Sequence, residues 1–260
     1  MILIFSFIFG IILGSFLNVC IHRLPLHQSI VFPVSHCCSC EKPIAFYDNI
    51  PLISFIVLRG ACRHCKAPIS YQYPIVEFLT GLLSLACMIK FGLGIPYAVS
   101  FAFCSALITV TFIDLKHQII PDTISLPGIL CGVLLSFVMP SLTFIDSLLG
   151  VALGGGSLLI IAGGYYLITK QEGMGLGDVK LLAMMGAFLG WQSILFIIMV
   201  GSFSGALVGI AVMIKKKKDR RYAIPFGPFL SLGAVSYLLY GQNIIFWYIQ
   251  FQLWIRDFIG

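Results

Sequence analysis

The chain has 260 residues, of which 59% are hydrophobic and only 10% charged, with a formal net charge of +6. A soluble domain carries about 25% charged residues, so these proportions exclude a large soluble fold and predict an all-α polytopic membrane protein. The positive balance reads as topology and attraction to membrane lipid, not as affinity for nucleic acid.

The first apolar run, 2–20, has no basic segment before it and no small-residue cleavage site. It reads as a retained span rather than a removed signal, with Gly10, Gly14 and Ser15 as small packing positions. The long polar region His22 to Tyr73 follows. Apolar run length then predicts spans at 75–93, 97–114, 124–138, 145–168, 179–189, 194–214 and 225–240, about eight transmembrane helices in all. The last stretch, 244–259, holds Trp247, Tyr248, Trp254 and Arg256 and reads as a ninth partial span or an interfacial helix. No internal repeat is read from the chain, and no low-complexity tract beyond Lys215-Lys216-Lys217-Lys218, a topology anchor. The domain division is a first helix (1–21), a polar loop (22–73) and a membrane-embedded core (74–260).

Lys and Arg fix the orientation. With the amino terminus outside, all but Lys90 and Arg256 of the 16 basic residues fall on the cytoplasmic side. The same orientation brings two carboxylates to that side. Asp114 closes the apolar run 101–113, and Asp178 opens the run 181–189 behind Gly173, Gly175 and Gly177. A charge in a membrane helix costs roughly 2.5–3.5 kcal/mol at the centre and demands a partner. The plain alternative is two unrelated helix-end carboxylates wetted by headgroup water; their shared side favours a pair. Asp122 rivals Asp114, but it follows Pro121 in a turn where it can cap the next helix.

The polar loop carries Cys37-Cys38-Ser39-Cys40 and Cys62-Arg63-His64-Cys65. Two C-x-x-C knuckles can surround Zn²⁺ tetrahedrally with Cys37, Cys40, Cys62 and Cys65. The loop is on the reducing side, where disulfides are disfavoured, and too small to fold on its own core. Cys38 could replace Cys37 but breaks the two-residue spacing. Cys20, Cys87, Cys104 and Cys131 read as small apolar packing residues of the spans. His64 reads as a neighbour of the metal rather than a ligand, and His117 as a solvated loop histidine.

Gly175-Leu176-Gly177-Asp178, together with Ile113-Asp114-Leu115-Lys116-His117, resembles the type IV prepilin peptidase family, membrane aspartyl proteases with a G-x-G-D motif that also N-methylate their product. Leu13-Gly14-Ser15-Phe16-Leu17-Asn18-Val19, Arg23-Leu24-Pro25, both knuckles, Asp48-Asn49-Ile50-Pro51, Tyr73-Pro74-Ile75-Val76-Glu77 and Pro225-Phe226-Gly227-Pro228-Phe229 extend the resemblance along nearly the full chain. It implies Asp114 and Asp178 as the catalytic pair, with Gly175 and Gly177 supporting the second. It also implies prepilin and pseudopilin substrates cut at the inner face of a bacterial cytoplasmic membrane, and S-adenosylmethionine as methyl donor. No glycine fingerprint marks where that donor binds; the polar loop, with Glu77 as a weak candidate, is the expected place. Two other classes are weighed: an ion- or proton-coupled transporter, which needs a continuous polar path, and a non-catalytic assembly factor docking through its zinc loop.

Overall fold

A computed structural model describes residues 1–170, 175–216 and 225–259. Gly173 of the glycine stretch and Lys217, Lys218, Arg220 and Arg221 of the basic run lie outside the described residues. So do the side chains of Lys215, Lys216, Trp247, Tyr248, Trp254 and Arg256. Nine α-helices run through the described part: α1 Ile2–Arg23, α2 Ile53–Val57, α3 Gln72–Phe91, α4 Ile95–His117, α5 Asp122–Leu135, α6 Phe144–Thr169, α7 Leu176–Leu189, α8 Gln192–Lys216 and α9 Gly227–Ile259. No strand occurs among the described residues, only two isolated bridges, His36 with Pro43 and Ala61 with Pro68.

Among the described residues five helices are long and apolar enough to cross a bilayer, and the protein is an all-α multi-pass membrane protein. Five of the predicted spans fall on these helices, α1, α3, α4, α6 and α8, to within a few residues. The predicted spans at 124–138 and 179–189 fall instead on α5 and α7, which have 14 residues each. That is about 21 Å of helix, short of a hydrocarbon core of about 30 Å. At the other extreme, the span at 225–240 and the separate stretch at 244–259 form one helix, α9, of 33 residues. Gly241 between them lacks the power of a proline to break a helix.

The chain divides into two compact units, Met1–Ile124 and Ser125–Gly260. In the first unit α1 and α3 run antiparallel in close contact. A Cβ on Gly14 would lie 2.7 Å from the Glu77 Cα, so the glycine is what lets the start of α3 approach α1. Helix α4 is the most enclosed, with 67% of its apolar window buried against 28% for α1. Leu17, Ile21, Val76, Ile108 and Ile113 form the core where the three helices meet. Hydroxyls are turned inward: the Ser84 hydroxyl donates to the Ser6 carbonyl at 2.6 Å and lies 2.8 Å from the Tyr97 hydroxyl. Phe5, Ile8, Phe9 and Ile12 face outward. Lipid tails are as apolar as leucine, so small side chains and hydrogen bonds, rather than apolar contrast, hold such helices together.

In the second unit the short helix α7 is enclosed on every side over Leu181–Ala187, as expected of a helix that is apolar all round. Its partner α6 runs antiparallel. Gly150 and Gly186 touch backbone to backbone, and a Cβ on either would run into the other's carbonyl oxygen. The Ser147 hydroxyl donates to the Ala187 carbonyl at 2.7 Å. Gly132 of α5 rests on Ala187 and Phe188, and Gly233 of α9 rests on the Ile197 backbone of α8. The register of α6 on α7 is set by Gly150 opposite Gly186, Gly154 opposite Leu182, and Gly155 opposite Ala183 and Val179.

Candidate functional site

The loop between α1 and α3 is built from one small turn used twice. In the first, Cys37 N–H donates to the Lys42 carbonyl at 3.0 Å and Glu41 N–H to the Cys37 carbonyl at 2.9 Å; in the second, Cys62 N–H donates to the Ala67 carbonyl at 2.9 Å and Lys66 N–H to the Cys62 carbonyl at 3.1 Å. Glu41 and Lys66 occupy the same left-handed position, with φ of 57° and 61°. The sequence underneath is an eight-residue repeat, Cys37-x-x-Cys40-x-x-Pro43-Ile44 and Cys62-x-x-Cys65-x-x-Pro68-Ile69. This corrects the expectation of a chain without repeats: the unit is too short to register as a domain-sized period, and only its hydrogen bonding makes it stand out.

The two turns bring the sulfurs of Cys37, Cys40, Cys62 and Cys65 within 4.8 Å of one another. Cys37 and Cys65 are 3.7 Å apart, close to the sulfur separation of a tetrahedron with zinc–sulfur bonds of about 2.3 Å. The donor set fits Zn²⁺. Amide groups of Ser39 and Cys40 directed at Cys37 lower its thiol to about 6, and those of Cys65 and His64 lower Cys62. Cys65 is pulled down by the Ala67 amide, yet desolvation and the neighbouring thiols leave it raised to about 11. Four sulfurs this close share protons poorly, and a divalent cation replaces those protons. Cys38 is exposed and outside the cluster, and no histidine belongs to it. Of the other cysteines, Cys20, Cys87 and Cys104 are buried as expected, whereas Cys131 is exposed on the outer side of α5.

Polar ties hold this loop over the membrane helices. Arg63 grips Asp48 with two hydrogen bonds, Nε to Oδ2 at 2.8 Å and the terminal nitrogen to Oδ1 at 2.6 Å. The Arg63 guanidinium keeps the Asp48 carboxyl below its ordinary range. Arg23, at the end of α1, donates to the carbonyls of Ser29 and Pro33. Glu77 is buried and accepts the Leu52 N–H at 2.8 Å. Between loop and helices lies a cavity of about 450 Å³, lined by Asn18, Glu77, Tyr73 and Leu52 below and by parts of both knuckles above. Asn18 is 2% exposed. Its amide donates to the Tyr73 carbonyl at 3.1 Å, while its Oδ1 has no partner. The sequence reading quotes Asn18 only within a motif and gives it no role, because an Asn in an apolar run reads as a tolerated polar residue.

The two aspartates lie at the ends of the two enclosed helices. Asp114, in the last turn of α4, is 5% exposed. The turn closes when Gln118 N–H donates to the Asp114 carbonyl at 2.9 Å, with Gln118 left-handed at φ 55°. Asp178 is half-buried in the first turn of α7, its N–H bonded to the Gly175 carbonyl at 3.2 Å. Gly175 caps the helix and Gly177 sits inside its first turn. Asp122, the rival, is exposed at the start of α5, and His117 is exposed at the end of α4.

Comparison with known proteins spans both units. A model described as the bacterial peptidase A24 N-terminal domain matches residues 8–91, and one described as the type IV leader peptidase family matches residues 101–210. The first range contains Asn18, Glu77 and the four cysteines; the second contains Asp114 and Asp178. A prepilin leader peptidase/N-methyltransferase of Aeromonas hydrophila is 36% identical over 94% of this chain and 92% of its own length. That of Stutzerimonas stutzeri is 35% identical over 95% and 93%. That of Myxococcus xanthus is 43% identical over 81% of this chain, but the match spans only 63% of that longer protein. No solved structure matches the chain. Identity at this level, over nearly the whole length of its relatives, shows that the chain belongs to the type IV leader peptidase family.

Proposed function

We propose that the protein removes the leader of type IV prepilins and pseudopilins at the cytoplasmic face of the membrane, then methylates the new amino terminus with S-adenosylmethionine. One observation carries this reading: relatives bearing both activities in their name match 94% and 95% of this chain, and the two family models cover the knuckles and both aspartates. The cytoplasmic orientation is supported by the distribution of Lys and Arg.

In this reading Asp114 and Asp178 act as one pair. Two carboxylates serving one centre share a proton, because both cannot ionise cheaply side by side. The ionised member takes a proton from water as it attacks the scissile carbonyl. The protonated member donates a hydrogen bond to that carbonyl and passes its proton to the leaving amine. The glycines before Asp178 leave room for an extended substrate segment against the backbone. Membrane lipid holds the apolar helix of the substrate so that its leader is presented at the interface.

The division of labour follows the loop and the core. The core, 74–260, contributes the aspartates. The loop, 22–73, is held in shape by Zn²⁺ on Cys37, Cys40, Cys62 and Cys65 and serves the methyl transfer. S-adenosylmethionine, when bound, supplies an electrophilic methyl group; the protein's share is to hold donor and amine together and keep water out. The test is purified full-length protein incubated with a candidate prepilin and labelled S-adenosylmethionine. Mass spectrometry is expected to find the leader lost and one methyl gained at the new terminus. An intact substrate after prolonged incubation with zinc-loaded enzyme refutes the reading.

A further inference from the structure

We propose that the cavity beneath the two knuckles binds S-adenosylmethionine, with Asn18 Oδ1 and the Glu77 carboxylate receiving its α-ammonium group. The inference rests on the methyl-transfer reading and adds to it a location and two recognising residues. Three observations converge on it.

The first is the unpartnered acceptor. A buried amide oxygen without a donor is rare and costly, and such an atom beside a cavity marks a place for a ligand donor. Asn18 is held in orientation by its other end, since its amide is committed to the Tyr73 carbonyl. The second is the sign of the site. Glu77 is 6% exposed and brings a carboxyl beside Asn18 in the same lining. Two acceptors in one part of the lining favour a group rich in N–H donors there, while Arg23, Lys42, Arg63 and Lys116 in the same lining suit a ligand that also carries a negative charge. The third is size and surroundings. About 450 Å³ lies within the range of small-molecule sites, and Leu52, Phe55, Leu58 and Tyr73 give apolar walls suited to a nucleoside. Lys116 is one of the lining's cations available to the ligand carboxylate. Gly14 belongs to the same design, because only a residue without a Cβ lets the Glu77 backbone lie against α1.

An ammonium could also come from the freed amino terminus of the substrate, so the experiment carries both ligands. Zinc-loaded full-length protein in lipid nanodiscs is titrated calorimetrically with S-adenosylmethionine, with its analogue lacking the α-amine, and with a short apolar peptide bearing a free amino terminus. Wild type is compared with Asn18→Leu and Glu77→Gln; the Gln keeps an acceptor for Leu52 N–H. Zinc content and thermal midpoint verify folding, and Glu77→Gln carries the test alone if Asn18→Leu does not fold. Each variant is expected to weaken S-adenosylmethionine at least about tenfold, the scale of a hydrogen bond to a charged group. The same variants are expected to bind the des-amino analogue as wild type does. Equal affinities in wild type and variants, or equal losses for both donors, overturn the proposal. So does a peptide that loses affinity in the variants while the donor does not, which would give the cavity to the acceptor amine. If wild type transfers methyl and the variants bind the donor normally, only the cavity assignment falls. If wild type neither binds donor nor transfers methyl, the methyl-transfer reading falls with it.

Discussion

Each unit is built around one helix enclosed by its neighbours, α4 in the first and α7 in the second, and each such helix ends at an aspartate. They differ in what surrounds them. Helix α4 has a polar roof of chain next to it, with a fourfold sulfur cluster and a cavity. Among the described residues, helix α7 is surrounded by membrane helices, held at glycine-to-backbone contacts. Asp114 closes its helix, among the carbonyl ends; Asp178 opens its helix, among the free N–H ends. The carboxylates therefore come from opposite backbone poles, and the proposed methyl transfer draws on the first unit alone. Mutations can test whether this division is real.

The largest effect is expected at the carboxylates. Asp114→Asn and Asp178→Asn should each reduce leader cleavage at least about a thousandfold, because neither group alone can perform both proton transfers. Asp122→Asn, at an exposed position, should stay within a few-fold of wild type. A cleavage time course by gel and mass spectrometry decides it; near wild-type rates for either of the first two would remove that residue from the pair.

The next effect separates roof from membrane body. Cys37→Ser should abolish the one tightly bound zinc expected per chain and loosen the His22 to Tyr73 loop. Elemental analysis and the alkylation rate of the remaining thiols measure it. Metal release should also follow a fall in pH, since protons compete with the metal for the sulfurs. Unreacted thiols in a protein that contains no zinc would mean the cluster is closed by something else.

In the second unit the sensitive point is the crossing of α6 and α7. Gly186→Val places side-chain atoms on the Gly150 carbonyl and should cost about 1–3 kcal/mol. The readout is a lower thermal midpoint with zinc content unchanged; an unaltered midpoint means that the two helices can part there freely. The smallest effect expected is on methylation by Asp178→Asn. Precleaved pilin should still accept labelled methyl from S-adenosylmethionine, because amine methylation needs proximity to the donor and no aspartate pair. A folded, zinc-loaded variant that transfers none would make the two sites one.

Much of this was legible from the residues. Apolar run length located the helices, since a span must hide its backbone and therefore declares itself in composition. The cysteine spacing declared the cluster because metal ligands must come in pairs that one turn can present. Other features depend on partners far along the chain. The amide of Asn18 is held by Tyr73, 55 positions away, while its Oδ1 is left without a partner. The Asp48–Arg63 fork joins a 3₁₀ turn to a knuckle, and neither residue announces the other. The fusion of two apolar stretches into α9 turned on a single glycine, which composition leaves open.

The register of α6 on α7 has a further consequence. Val179 lies opposite Gly155, so Asp178 stands level with the middle of α6. From there α6 climbs to Thr169 past the exposed Tyr165 and Tyr166, side chains of the kind that float at the headgroup boundary. About 16 Å of that helix rises above the carboxylate. The carboxylate thus sits on a ledge partway down a wall rather than at its top. If Asp178 belongs to the proposed catalytic pair, water must reach it below the waterline, through a bilayer that thins or an inlet that the protein lines. In that case the substrate segment would descend to the ledge unwound, trading its own helical hydrogen bonds for those that the backbone at Gly175 and Gly177 can return.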